Sequence, residues 1–372
     1  MNLRRLAVAA LILILIGSLI VIYRYYWPES IESVSHKWSL STHANTSSPS
    51  FTHWDEDDPP LIPASCAKCH STYGYRDFLG ADGSTPRQVD EGALTGTVVF
   101  CSACHNDQAH QMTSVGFPSE AVVENLEREA ICMQCHQGLR SSEDVAQAIE
   151  GFSDDQVAEE LGFINVHYQV AAATLFGGEV RGGYQYPDQE YVDRFEHDES
   201  AQTCIECHDP HSQQIAVEEC QPCHVAVVDY GDLELIRSSD VDYDGDGSTA
   251  DGIAQEIESV HQLVYAALQE YARREIGTPL IYADQFPYFF IDSNGDGQVD
   301  EEETGFQNQY SEWTPRLVRT AYNYHFVHED PGAYVHNGRY VLQLLYDSLA
   351  DLSEVVDTPL DDLARPEKEM VQ

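Results

Sequence analysis

Apolar positions along this chain fall into three regimes. At the start, MNLRR leads into LAVAALILILIGSLIVIY, an unbroken run of the length of a membrane-spanning helix or a secretory signal. It passes, without a small-x-small cleavage pattern, into Tyr23, Arg24, Tyr25, Tyr26 and Trp27, an aromatic cluster suited to a membrane interface. We therefore expect residues 1–27 to be an N-terminal membrane anchor, with a cleaved signal peptide as the alternative. Arg4 and Arg5 would stay cytoplasmic, which places everything after Trp27 outside the cytoplasmic membrane, in the periplasm.

The middle regime has little periodicity. Residues 28–60 read as a polar Ser/Pro-rich connector, unusual in holding His36, His43 and His53. Residues 61–224 read as long loops with a helical stretch near Glu120–Ile131, short amphipathic helices over 141–166, and a helix opened by His167 and ending at Gly177-Gly178. The third regime, 225–372, is helical: a long helix over Gly252–Arg274, then two more over TPRLVRTAYNYHFVHED and GAYVHNGRYVLQLLYDSLADL, parted at Asp330-Pro331-Gly332. The expected fold is mostly α with long loops and few strands.

Cysteine spacing changes the picture of the middle regime. All ten cysteines lie in C-x-x-C pairs, each followed at once by histidine: Cys66/Cys69/His70, Cys101/Cys104/His105, Cys132/Cys135/His136, Cys204/Cys207/His208 and Cys220/Cys223/His224. C-x-x-C-H is the attachment signature of c-type haem: two thiols add to the two vinyl groups and the adjacent imidazole reaches the iron. Structural zinc, a redox dithiol or disulfides explain the pairs but not a histidine after every one. Five covalent haems c are the expected cofactors, and their faces would supply much of the core that a loop-rich chain lacks.

The far side of each iron separates an electron carrier from a catalyst, because two protein ligands leave no place for substrate. Methionine is scarce: apart from Met1 there are only Met112, Met133 and Met370. Histidine must do most of this work, and eleven histidines lie outside the motifs. His211, three residues past His208, is too near to fold back over the same haem but well placed to cap a neighbouring one.

Two acidic loops suggest Ca²⁺. Asp292, Asn294, Asp296, Gln298, Asp300 and Glu303 fit the D-x-[DN]-x-[DN]-G-x5-E loop, with Gly297 at six and Glu303 at twelve. Asp240, Asp242, Asp244, Asp246 and Asp251 fit from Asp240, with Gly245 at six and Asp251 at twelve. A start at Asp242 instead puts Ile253 at twelve. We expect the first of these registers.

Charge narrows the partners. The chain has 63 acidic against 19 basic residues, a formal net charge of −44, and its lysines are Lys37, Lys68 and Lys368. Such a surface repels phosphate and excludes nucleic acid, and it favours basic redox proteins and bound cations.

Several stretches together resemble the membrane-associated polyhaem cytochromes c of bacterial respiratory systems. They are STHANTSSPSFTHWDED with SCAKCHSTYGYRDFLG, CSACHND, CMQCHQG, VHYQVAAATLFGGEVRGGYQY, RFEHDESAQTCIECHDPH, DYDGDG with PYFFIDSNGDG, and WTPRLVRTAYNYHF with DPGAYVHNGRYVLQLLYDS. The resemblance implies electron transfer through bis-histidine haems, with His43, His53, His167, His197, His211 and His336 as the pool of second ligands. His336-Asn337-x-x-Tyr340 resembles a helix-borne ligand of multihaem cytochromes. It implies no ligand role for His110, His261, His325 or His328. Asp251 stands where a glutamate is expected after DYDGDG. The expected activity is relay between a quinol-linked donor and a terminal reductase or extracellular acceptor. The alternatives are a pentahaem oxidoreductase with one open haem, acting on nitrite, hydroxylamine or a sulfur oxyanion, and a filament-forming cytochrome. Pentahaem nitrite reductases usually carry lysine in one motif, whereas all five motifs here end in histidine.

Overall fold

The computed structural model describes residues 29–198 and 201–368. The expected anchor, 1–27, lies outside them. Among the described residues no helix is long and apolar enough to cross a membrane. Placement on the cytoplasmic membrane through an N-terminal helix has no such helix behind it among the described residues and is not carried forward.

The first described helix, α1 (Ile31–Ser39), is capped by Ser30, whose hydroxyl accepts from Ser33 N at 3.2 Å. No residue of α1 is buried. Its last turn is pinned instead, by Trp38 Nε1 donating to Val99 O at 3.0 Å and by Lys37 bridging Glu29 (3.1 Å) and Asp209 (2.9 Å). Further on come α2 (Ser142–Ile149), opened by a Ser141/Asp144 capping box, and α3 (Ala171–Phe176).

Three long helices complete the chain. In α4 (Ile253–Tyr271), buried Ile257, Val260, Val264, Ala267, Leu268 and Tyr271 recur at three- and four-residue steps, so one face turns inward. A π-turn over Ala272–Ile276 ends it at Gly277, whose φ of 88° suits glycine. Thr314 caps α5 (Pro315–His328), with Pro315 in the first turn, and every residue from Pro315 to Val327 is buried. The last helix, α6 (Ala333–Ser353), packs against α3, α4 and α5.

A helix buried on all sides must neutralise its own charges. Arg316 of α5 pairs with Asp155 (2.8 Å), Glu354 (3.1 Å) and Asp351, and Arg319 pairs with Asp154 (2.6 Å) and Asp351 (2.5 Å). Asp351 of α6, itself shielded from solvent, thus holds both arginines and fastens α5 to α6. The turn at 182–184 is stapled to the same helices: Asn323 Oδ1 accepts Tyr184 N at 2.7 Å, and Tyr322 OH donates to Gly182 O at 2.7 Å. These bonds satisfy backbone groups that have no strand to join.

Sheet is confined to three antiparallel pairs among the described residues: β1 (Leu61–Ile62) with β2 (Ala93–Leu94), β3 (Ser114–Gly116) with β4 (Val122–Glu124), and β5 (Leu280–Tyr282) with β6 (Phe289–Ile291). The main buried core runs through α2, α3 and the 158–192 segment as well as α4, α5 and α6, whereas the first two cysteine motifs sit beside two small apolar clusters.

The three long helices of the third regime form as the pattern predicts. In the middle regime three expectations are corrected. The stretch 120–131 is a hairpin strand and a loop, with helix only at Ala130–Met133, because Glu120 (φ 67°) and Asn125 (φ 60°) take left-handed backbone. Helix in 141–166 is limited to α2. The helix expected from His167 starts only at Ala171, since His167 (φ 72°) and Gln169 (φ 63°) interrupt it.

Candidate haem centres

Each motif begins on a single helical turn. The first lies within Ala64–His70, the second spans Cys101–Cys104, the third opens in Ala130–Met133, the fourth spans Cys204–Cys207 and the fifth starts at the end of Val217–Cys220. In a helical turn, positions i, i+3 and i+4 share a face. Both thiols and the imidazole of C-x-x-C-H therefore point the same way. The turn closes through the histidine's own amide, which donates to the first cysteine's carbonyl: His105 to Cys101 (2.8 Å), His136 to Cys132 (3.1 Å), His208 to Cys204 (2.8 Å) and His224 to Cys220 (2.9 Å).

Two motif thiols are exposed, Cys101 in the second motif and Cys223 in the fifth. Neither Cys223 nor Cys220 joins an apolar cluster. The reason for Cys223 lies in its neighbours. Cys223 follows the last residue of Val217–Cys220, its amide donating to Cys220 O at 3.3 Å, and the turn leans on the fourth motif's helix. The chain beyond it stays at the surface, with Val225 and Val228 exposed. Cys223 keeps the spacing of an attachment thiol, at the rim of the molecule rather than within it.

Every motif histidine faces a histidine from elsewhere in the chain. The ring centroids are 5.9 Å apart for His70–His167, 6.1 Å for His105–His211, 6.2 Å for His136–His43, 6.4 Å for His208–His336 and 6.1 Å for His224–His197. A metal about 2 Å from each of two opposed imidazole nitrogens puts the ring centroids about 6 Å apart. The donor set thus fits a haem iron between each pair, with two thiols on the face of the same turn.

Other histidines approach at similar distance but fail on connectivity or chemistry. His110 lies 5.9 Å from His105, yet it is only five residues further along the chain and Asp107–His110 is helical, with a rise of about 1.5 Å per residue. That length cannot reach around a porphyrin to its opposite face. His261 and His328 lie 6.5 Å apart, but neither follows a cysteine pair, and His261 Nε2 is engaged by Tyr324 O at 2.8 Å. His53, the sixth member of the expected pool, makes no ring contact with a motif histidine, although its charge bears on His70: its ring stands edge-on to Trp54 (4.9 Å), which meets His70 edge-on in turn (5.2 Å).

Local structure aims the second histidines. His43 sits in a turn over Thr42–Ala44 held by Gln213, whose Oε1 accepts Thr42 N (2.8 Å) and His43 N (3.3 Å). The left-handed backbone of His167 is fixed by its amide donating to Asn165 Oδ1 at 2.6 Å. Asp209 Oδ1 accepts from His211 N (2.9 Å) and Ser212 N (2.8 Å) in a tight turn. His336 stands just before a break in α6 at Asn337.

Partners of Nδ1 leave Nε2 directed at the facing ring. His70 Nδ1 lies 2.7 Å from Ser50 O, and His336 Nδ1 lies 2.8 and 2.9 Å from the two oxygens of buried Asp330. Burial lowers the His43, His70, His105, His167 and His208 imidazoles and takes His136 down to about 4, keeping them neutral as metal donors. For His336 burial acts downward too, but the Asp330 carboxylate raises it above the ordinary value. Sequence reasoning missed Asp330; the only signal is an acid six residues ahead of the ligand histidine, across Pro331-Gly332.

The motifs also touch one another. Cys69 Sγ lies 4.0 Å from Gln134 O and Cys135 Sγ 4.0 Å from Lys68 O. Cys69 and Cys135 shift one another's thiols, as do Cys132 and Cys204, while the charge of Cys132 bears on Cys104 and that of Cys220 on Cys207. The third motif is thus the hub. The first and fourth join it directly, the second lies beside it, and the fifth extends from the fourth.

In the first acidic loop Asp292, Asn294, Asp296, Gln298, Asp300 and Glu303 form one compact turn, in which Asn294 Nδ2 donates to Asp300 (2.8 Å) and Asp296 Oδ1 accepts Gln298 N (2.8 Å). The second loop takes the register that was not expected. Asp242, not Asp240, heads it by accepting Gly245 N (2.7 Å) and Gly247 N (2.8 Å). Glu256, from the first turn of α4, closes it through Tyr243 N (2.6 Å) and Asp244 N (3.1 Å). Asp251 takes part only through its carbonyl, which accepts from Arg237 at 3.0 Å. Asp242, Asp244 and Glu256 bring their carboxylates within 4.8 Å of one another, and Asp246 Oδ1 accepts Ser248 N at 2.6 Å. The motif search missed Glu256 because three extra residues separate it from the twelfth position.

Comparison with known proteins follows the same lines. The chain is 23% identical to the C-type polyheme cytochrome OmcB of Geobacter sulfurreducens (strain DL-1 / KN400), over 82% of this chain and 46% of that protein. It is also 23% identical to the C-type polyheme cytochrome OmcC of Geobacter sulfurreducens (strain ATCC 51573 / DSM 12127 / PCA), over 82% of this chain and 44% of the relative. It spans less than half the length of these relatives. No family model and no solved structure matches it. This distant homology supports a multihaem c-type cytochrome.

Proposed function

We propose that the chain is a pentahaem electron-transfer cytochrome, in which His70/His167, His105/His211, His136/His43, His208/His336 and His224/His197 each hold one iron. One observation carries this reading: every motif histidine has a facing histidine from a separate stretch of chain, at 5.9 to 6.4 Å. When bound, haem c supplies one-electron chemistry at its iron.

The chain's own residues determine what that chemistry serves. Two imidazoles per iron leave no coordination position for nitrite, hydroxylamine or a sulfur oxyanion, which favours relay over catalysis. Neighbouring thiols at Cys69/Cys135, Cys132/Cys204 and Cys207/Cys220 support a series running through the first, third, fourth and fifth motifs, with the second as a branch. Cys101 and Cys223 are both exposed, so the second motif, on its branch, and the fifth, at the end of the series, lie nearest a partner. A net charge of −44 favours a basic protein as redox partner. The proposed setting is a respiratory chain, between a quinol-linked donor and a terminal reductase or extracellular acceptor.

The test is a pyridine haemochrome count together with a low-temperature EPR spectrum of the oxidised protein. Five haems, all low-spin, are expected. A high-spin ferric signal of one haem's intensity, shifted by hydroxylamine or nitrite, would overturn the relay reading in favour of an enzyme with one open iron.

A further inference from the structure

We propose that the loop Asp292–Glu303 binds one Ca²⁺, and that the loop Asp242–Glu256, built on the same plan, takes none because Arg237 already supplies its positive charge.

The two loops match position by position. Asp292 Oδ1 accepts Gly295 N (2.7 Å) and Oδ2 accepts Gly297 N (2.9 Å), the same pair of bonds that Asp242 makes to Gly245 and Gly247. All four glycines have φ between 73° and 86°, the left-handed backbone that such a turn requires. Glu303 Oε1 accepts Ser293 N (2.6 Å) and Asn294 N (3.1 Å), as Glu256 Oε2 accepts Tyr243 N and Asp244 N.

They differ at the second oxygen of the closing carboxylate. Glu303 is 6% exposed, and its Oε2 is buried with no hydrogen-bond partner. Among the described residues no arginine or lysine forms an ion pair with Asp292, Asp296, Asp300 or Glu303. Arg273, which lines a cleft together with Asp292 and Asp296, is engaged by Glu270 at 2.7 Å. A buried, unpaired carboxylate oxygen among further carboxylates calls for a cation. Donors that are all oxygen, in a glycine-jointed loop, suit Ca²⁺ rather than a transition metal or tightly octahedral Mg²⁺.

In the other loop the corresponding oxygen, Glu256 Oε1, takes Arg237 Nη1. That guanidinium is held in place by the carbonyls of Ser239 (2.5 Å), Asp251 (3.0 Å) and Val241. A fixed positive charge on the closing carboxylate satisfies it and opposes a divalent ion beside it. In the first loop the ion would fasten the β5–β6 hairpin to α4, since Gln269 Nε2 donates to Gly297 O at 3.1 Å and Asp292 N to Pro279 O at 3.0 Å.

Mature full-length protein, stripped with chelator and dialysed into CaCl₂, is counted for metal by mass spectrometry and titrated calorimetrically. One Ca²⁺ per chain is expected. Glu303→Gln should weaken binding about tenfold or more, and Asp242→Asn should leave it unchanged. The thermal midpoint should fall on chelation and recover with Ca²⁺ but not with equimolar Mg²⁺. If Glu303→Gln does not fold, Asp296→Asn at an exposed position of the same loop makes the same test. No bound Ca²⁺, or binding lost with Asp242→Asn and kept with Glu303→Gln, overturns the assignment. Two Ca²⁺ per chain overturns the role given to Arg237. Neither outcome depends on the haem reading.

Discussion

His336 differs from the other paired histidines in having a buried carboxylate on its outer nitrogen. Asp330 shares the Nδ1 proton through both oxygens, which would make the imidazole a stronger donor and favour the oxidised state of an iron held there. Asp330→Asn should raise the midpoint potential of a single haem, by roughly the 59 mV of a tenfold one-electron shift, in a spectropotentiometric titration. At the second motif the chain-length argument makes a sharp distinction. His211→Ala should create one high-spin haem in the EPR spectrum, and His110→Ala should leave that spectrum unchanged. Away from the paired rings, Glu329 is a buried acid whose Oε1 has no hydrogen-bond partner, 3.5 Å from His325 Nε2. Burial and then the charge of Asp284 raise it to about 7, while burial holds His325 near 3 and therefore neutral, and His328 faces Asp284 at 3.6 Å. A carboxyl raised on folding stabilises the fold below its unfolded value, about 4.3, and that contribution is lost as pH rises through 7. Because the buried imidazoles pull the other way, the Glu329 contribution is read as a difference: relative to the parent, the thermal midpoint of Glu329→Gln should rise from pH 5 to pH 8. The motif cysteines and histidines, being local in sequence, were legible there, although the exposure of Cys223 was not. Asp330 and Glu256 were not legible either, because each gains its role from a turn that brings it back on a partner.

At the scale of elements, the break in α6 shows how a helix can be reset within its own length. Asn337 has φ −167° and ψ 75°, and its Oδ1 accepts Tyr340 N at 3.2 Å, the bond of an N-cap. Its Nδ2 donates to Asp193 O at 3.0 Å, tying the loop that precedes His197 to the helix that carries His336. Asn337→Ala should cost about 1–2 kcal/mol of stability, read as a lower denaturant midpoint with unchanged slope. The long helices were legible because their buried faces repeat at the helical period. The helix expected at 120–131 failed although its composition allowed one. Phe117–Ala121 closes a tight turn (Phe117 N to Ala121 O, 2.9 Å), and left-handed backbone at Glu120 lets β4 fold back on β3. His167 is a similar case, where pairing with His70 prevails over helix propensity.

Over the whole molecule, charge sets how partners arrive. With a net charge of −44, electron exchange with a small cationic oxidant should be fast at low salt and should slow as salt is raised. Exchange with an anionic oxidant of similar potential should quicken as salt is raised, and stopped-flow rates against ionic strength read both. The sequence by itself determined the chemistry: attachment signature, scarcity of methionine, acidic surface and glycine-jointed loops all depend on residue type and short spacing. The tertiary structure alone decided which histidine faces which. Six stood in the expected pool for five motifs, and the pairs span up to 128 residues, as for His208 and His336. Spacing along a chain fixes geometry only within a turn or two of helix. Beyond that, packing decides, and packing is what turned His53 against Trp54, left Cys223 at the rim and brought Glu256 rather than Asp251 to close its loop.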